Sequence, residues 1–169
     1  MRGFAGDGRT TEHSVAAEGL RWPVSMLVTA PYHDVTGAVI GAAIEVHRQL
    51  GPGLLESSYL TCLEFELSER GLRFDAQRAV PIVYKRIPLP TAYRIDLIVE
   101  DLIVVEVKSV ERLLSVHEAQ LLTYLRLANC PAGLLINFNV PKLLDGLKRI
   151  INSRHIGMYA APAGGDESG

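Results

Sequence analysis

The sequence predicts an α/β (α+β) fold, with one mixed central β-sheet flanked by helices in the approximate order ααββββαβα. Three observations lead there. Two segments with helical apolar spacing come first, between residues 34 and 70. A stretch dense in Val, Ile and Leu follows, in which Ala92–Lys108 reads as a hairpin whose strands are covered on both faces. Helical and strand signals then alternate towards residue 152.

Taken in order, residues 1–30 are rich in Gly, Thr, Ser and Ala without sustained periodicity and read as a weakly ordered leader, with Met26 a second possible start. The ordered part is expected over 31–155. A first helix begins near Asp34 or Thr36 and runs to Leu50, where Gly51-Pro52-Gly53 stops it. A second runs from about Leu55 to Arg70 and closes at Gly71. Extended segments are expected near Arg73–Gln77 and Val80–Lys85, then a turn at Pro88 and Pro90, then the hairpin. Ser115-Val-His-Glu118 fits a capping box that opens a helix reaching Ala128. Leu134–Phe138 reads as a short buried strand, and Pro141 as the first turn of a last helix to about Asn152. Residues 156–169 are too poor in large apolar side chains to pack and read as a flexible tail.

At 169 residues and 48% hydrophobic, the chain holds enough apolar surface for one substantial core and little more. A formal charge of -2 argues against coating nucleic acid by bulk electrostatics and leaves room for a local basic surface. Cys62 and Cys130 lack both metal-ligand spacing and a disulfide-rich context, and no apolar run approaches a membrane span or a signal peptide. A cytoplasmic protein without membrane attachment is expected, its oligomeric state open.

The hairpin places charge where charge is costly. Glu106 and Lys108 are two apart on a strand and project from one face, with Val105 and Val107 on the other. A three-residue turn centred on Asp101 would set Asp96 directly opposite Glu106; a two-residue turn would set it opposite Val105. Two carboxylates about 5 Å apart at Cβ repel unless a proton or a cation intervenes. Lys108 supplies one positive charge, and oxygen-only ligation by Asp96 and Glu106 suits a hard ion, Mg²⁺ or Mn²⁺. In the second helix Glu56 precedes Tyr59 by three and Leu60 by four, which directs it along the core face as a third carboxylate reaching the hairpin. A Glu in a helix's first turn also simply favours the positive helix end.

Gln120 and Tyr124 lie one helical turn apart on a stripe with Val116 and Leu127; a buried amide there needs partners, which a phosphate, a water or the backbone could supply. His47, His117 and the Glu45–Arg48 pair carry less weight, since ordinary structural bonds and a helix-surface ion pair account for them. Gly51-Pro-Gly-Leu-Leu-Glu56 follows a helix rather than a strand, so it is a corner and not a nucleotide-binding loop.

Residues from about 36 to 152 resemble the GxxExxY protein family of the PD-(D/E)XK nuclease-like superfamily. The resemblance rests on Gly53-Leu-Leu-Glu56-Ser-Ser-Tyr59, on Glu45-Val-His-Arg-Gln-Leu-Gly-Pro-Gly53, on Tyr93-Arg-Ile-Asp96, on Glu106-Val-Lys108 and on His117-Glu-Ala-Gln120-Leu-Leu-Thr-Tyr124. Ile95 stands where the superfamily motif often has proline. The resemblance implies a restriction-endonuclease-like core and phosphodiester hydrolysis of nucleic acid, DNA more than RNA, with Mg²⁺ or Mn²⁺. It implies Asp96, Glu106 and Glu56 as metal ligands, Lys108 and Gln120 as further catalytic residues, and contacts to substrate from Tyr59 and Tyr124; Arg94, one of several basic residues dispersed around the strands, is a further candidate for a phosphate contact, with solvated surface charge the ordinary explanation. A nuclease-fold binding or assembly module, or a hydrolase of small phosphodiesters, is the alternative expectation.

Overall fold

The structure, a computed structural model, describes residues 32–156; the expected leader and nearly all of the expected tail lie outside the described residues. Helix α1 spans Tyr32–Leu50 and buries Val39, Ala42, Ala43 and Val46, a stripe at helical spacing. Gly51 donates its N–H to the His47 carbonyl, and Gly51 and Gly53 take positive φ, so the two glycines make the corner that turns the chain into α2, Glu56–Glu69. Helix α2 ends where Gly71 takes positive φ and the Leu72 N–H reaches back to the Leu67 carbonyl.

Five strands follow in one sheet, in the spatial order β1-β2-β3-β4-β5: Phe74–Tyr84, Ile87–Val99, Ile103–Lys108, Ala132–Asn137 and Leu147–Ile151. Strands β1, β2 and β3 form an antiparallel meander. Helix α3, Ser115–Leu127, carries the chain across to β4, which runs parallel to β3. Strand β5 returns antiparallel to β4, and a short turn of helix, α4, Ser153–Ile156, ends the described chain.

The sheet divides two cores. Helices α1 and α2 pack on one face against Leu97, Val99, Ile103, Val105, Val107, Leu134 and Ile136. On the other face Leu121, Tyr124 and Leu125 of α3 pack against Ile95, Ile98, Val104 and Leu135. Every residue of β4 is buried, which is why Leu134-Leu-Ile136 is apolar without alternation. Truncating Leu134 to alanine would cost about 2–5 kcal/mol there. Among the described residues no helix is long and apolar enough to cross a membrane.

Four expected elements differ. The two extended segments before the hairpin are one strand, β1, and the chain reverses at Lys85 and Arg86 rather than at Pro88 and Pro90, with Tyr84 paired to Ile87. The prolines sit within β2, tolerated because β2 has no third strand beside it there. Ser115 is the first helical residue of α3 and not its cap; Leu114 occupies the cap position, and the His117 Nδ1 accepts the Leu114 N–H at 3.2 Å. The last helix expected from Pro141 is instead a 3-10 turn, Leu143–Gly146, followed by β5. Gly146 packs so tightly that a Cβ would meet the Asn137 carbonyl oxygen at 2.3 Å, and that contact turns the chain onto the open edge of β4.

Candidate active site

The β2–β3 turn decides which charges meet. Glu100 and Asp101 both take positive φ, and the Leu102 N–H donates to the Val99 carbonyl, so Val99 pairs with Ile103 and Leu97 with Val105. This is the three-residue register. Continued one step, it sets Asp96 across from Glu106. The ladder stops there, because β2 peels away from β3, and the Asp96 side chain replaces the missing backbone acceptor, its Oδ2 accepting the Val107 N–H at 2.9 Å. The Asp96 N–H in turn faces Glu106 Oε1 at 3.4 Å.

Glu106 and Lys108 follow Val104 on alternate positions of β3 and so share the α3 side of the sheet. Glu106 is 2% exposed, and Lys108 extends its Nζ to 3.4 Å from Glu106 Oε2. Burial drives the Glu106 carboxyl up to about 7, and the negative charge of Asp96 adds to the rise, while Lys108 and the Asp96 N–H oppose it. One ammonium at that distance does not offset the burial of Glu106.

Glu56 is exposed, contrary to the expected inward direction along the core face. It stands at the first residue of α2, and its Oε1 accepts the Ser109 N–H at 3.0 Å, directly after Lys108 at the end of β3. Ser109 also donates its hydroxyl to the Leu54 carbonyl at 2.6 Å, so the Gly51–Ser57 corner is pinned against the strand end and borders a shallow groove. Among the described residues no three His, Cys, Asp or Glu side chains cluster closely enough to hold a metal, so the inner pair is Asp96 and Glu106 with Glu56 outside it.

Gln120 donates to the Tyr124 hydroxyl at 2.7 Å. Tyr124 is buried, and burial raises its pKa, with Glu106 and Asp96 adding to the shift through their charge. It walls the carboxylate pair and orients Gln120 rather than offering itself to a substrate. Tyr59 is not a substrate contact: it is fully buried, stacks on Phe138 with 4.4 Å between ring centroids, donates to the Gly51 carbonyl at 2.6 Å and accepts the Leu54 N–H at 3.1 Å. Arg94 is exposed on β2, two residues before Asp96. His47 is bonded to the Val140 carbonyl, and Arg48 beside Glu45 holds that carboxyl down to about 2.

Gln77 joins the candidate site, a placement that the sequence did not announce. On β1 it falls between the pairs Ala76–Leu97 and Arg78–Ile95, opposite Asp96, with φ 52°, and its Nε2 donates to Asp96 Oδ1 at 3.1 Å. Both Asp96 oxygens thus have donors. A left-handed glutamine in a strand leaves no trace in composition or periodicity; only the register brings it to the site.

The model of the PD-(D/E)XK nuclease superfamily aligns with residues 33–150, and the chain belongs to that superfamily. Neither a curated protein nor a solved structure matches the chain. Superfamily members are generally phosphodiester-cleaving hydrolases that use divalent metals, so membership indicates a nuclease-like function and a nucleic-acid substrate.

The donor set suits such an ion. Mg²⁺ is typically held by one or two carboxylates, with water and substrate phosphate completing its octahedron, and does not need an all-protein cage. A divalent cation would also offset the burial and the neighbouring Asp96 charge that together raise Glu106.

Proposed function

We propose that this chain is a Mg²⁺- or Mn²⁺-dependent nuclease that hydrolyses phosphodiester bonds, of DNA in preference to RNA, in the cytoplasm. Within the superfamily we place it in the GxxExxY branch, because Gly53, Glu56 and Tyr59 act together: Gly53 turns the corner, Tyr59 latches it and Glu56 ties it to Ser109.

The observation that carries the reading is the buried Glu106 beside Asp96, with Lys108 at 3.4 Å. A metal held by the two carboxylates supplies Lewis-acid activation of phosphate and water. Asp96 enters that role preoriented, since Val107 and Gln77 fix its plane. Lys108 lends its ammonium to the charge that develops on the phosphoryl oxygens, where a low-dielectric wall strengthens it. Gln120, steered by Tyr124, positions substrate or water. Glu56 adds a third carboxylate at the mouth, acting on incoming water, and Arg94 contacts a phosphate flanking the scissile one.

Incubating the purified chain with single-stranded, duplex and branched DNA and RNA, over a titration of Mg²⁺, Mn²⁺ and chelator, tests the proposal. Cleavage that requires metal is expected. Lys108→Ala should lower turnover by at least about tenfold while its metal-induced thermal shift persists. Metal-supported binding without cleavage of any substrate, equal in wild type and Lys108→Ala, would instead define a binding module on this fold.

A further inference from the structure

Strands β1 and β2 are paired from Phe74–Val99 out to Tyr84–Ile87, yet β2 pairs with β3 only over residues 97–99. Beyond the site the two strands pair only with each other; Val80 and Tyr93 still rest against α3, and the remainder continues as a two-stranded ribbon. From Asp96 to the tip residue Ile87 is nine residues, roughly 30 Å of strand.

An isolated two-stranded ribbon is marginally stable, and this one spends its surface unusually. Residues 76–95 contain Arg78, Lys85, Arg86 and Arg94 and no acidic residue, in a chain of net charge -2. At the tip Val83 is 61%, Tyr84 61% and Ile87 63% exposed, and the Lys85 ammonium lies 5.6 Å from the Tyr84 ring centroid. A bare apolar ribbon would invite another strand, but Pro81, Pro88 and Pro90 withhold ladder donors. Its edges are thus poor templates for a second chain, while its cations and flat side chains stay outward.

We propose that the β1–β2 ribbon is an arm that grips duplex DNA beside the site, its tip entering the major groove. This rests on the nuclease reading and extends it by naming the form of the substrate and where it is held. A two-stranded ribbon fits the major groove of B-form DNA, whereas the A-form major groove is too deep and narrow. At about 3.4 Å per base pair, the arm reaches about nine base pairs from the scissile phosphate. Arg94 and Arg78 lie nearer its root, where Arg78 is 3.5 Å from Asp75, and Lys85 and Arg86 stand at its end, so the cations form two clusters, the unpaired one at the tip, that can contact phosphates.

The test is binding without cutting: fluorescence anisotropy of a 30-base-pair duplex with the full chain in chelator, across a salt series. Lys85→Ala/Arg86→Ala should weaken binding by about tenfold or more and make the log-log salt slope shallower by about two. Lys142→Ala/Arg154→Ala, an equal loss of exposed charge elsewhere, should change both far less. Equal melting temperatures would establish that both variants fold. The arm is overturned if wild type does not bind the duplex, if tip and control variants behave alike, or if a single strand of equal length responds identically. It is also overturned if the chain forms a dimer that Val83→Ser/Ile87→Ser abolishes, since the ribbon would then join two copies. Metal-dependent cleavage with an unresponsive tip sinks the arm alone; tip-dependent binding with no cleavage under any metal sinks the nuclease reading alone.

Discussion

Strands β3 and β1 lie in the same sheet and are built on opposite terms. In β3 five of six residues are buried, and the sixth is Lys108; in β1 only Val80 is buried among eleven. The inner strand is covered by helices on both faces, so it holds Glu106 rigidly at the cost of desolvating a carboxylate. The outer ribbon is exposed, interrupted by proline and irregular between Pro81 and Val83, and so can carry exposed cations at little cost. Asp96 stands at the seam. Tension between the two regions, a stiff buried charge and a softer strand that must meet it, is where the chain can be perturbed most informatively.

The largest expected effect comes from the buried side. Because folding raises the Glu106 pKa from its ordinary 4.5 to about 7, the folded chain retains a proton that the unfolded chain has released between those values. Stability without metal should therefore fall as pH rises through that window, with the full penalty, about 3 kcal/mol at most, present above pH 7 and absent below 4.5. Urea denaturation in chelator should show Glu106→Gln flattening that dependence and exceeding wild type in stability at pH 8. A wild type whose stability rises across the window would mean that Glu106 is ionised without cost.

Metal should reverse the penalty. Saturating Mg²⁺ or Mn²⁺, at about a hundred times its dissociation constant, is expected to stabilise wild type by about 2.7 kcal/mol. Thermal melts of Asp96→Asn should lose most of that gain, and an undiminished response would place the ion away from the seam.

Tyr59→Phe addresses the corner that presents Glu56. It removes the acceptor of the Leu54 N–H and the donor to the Gly51 carbonyl, at an expected cost of about 1–3 kcal/mol in urea denaturation. A change below a few tenths would mean that the latch is not formed.

The smallest effect separates backbone from side chain at Gln77. Gln77→Gly relieves the positive φ and should be more stable than Gln77→Ala by about 0.5–1 kcal/mol, while both lose the bond to Asp96 and should weaken Mn²⁺ binding alike by calorimetry. Metal affinity that follows stability instead of the missing amide would leave Gln77 a purely structural residue.

Much of this was legible in the chain because it depends on spacing. The stripes of α1 and α2, the glycine corner between them and the alternation of Val105, Glu106, Val107 and Lys108 are local, and local periodicity survives folding. The last segment deceived because Leu143, Leu144, Leu147, Ile150 and Ile151 recur at helical intervals, yet β4 offered an unpaired edge and Gly146 could approach Asn137 where no other residue fits. Pro88 and Pro90 read as a turn because nothing local reveals that their strand lacks a third neighbour. Helical spacing marks Glu56 as a candidate, but its exposure and its bond to Ser109 depend on how the corner packs against the end of β3.

The chain alone marks where charge is set into an apolar hairpin, since two carboxylates and a lysine there demand compensation whatever surrounds them. Their meeting was a tertiary decision. Positive φ at Glu100 and Asp101 chose the register, the divergence of β2 from β3 gave Asp96 a backbone donor, and α3 closed over Glu106 tightly enough to raise its pKa. Spacing is written along the chain; register, edges and desolvation exist only once distant segments pack.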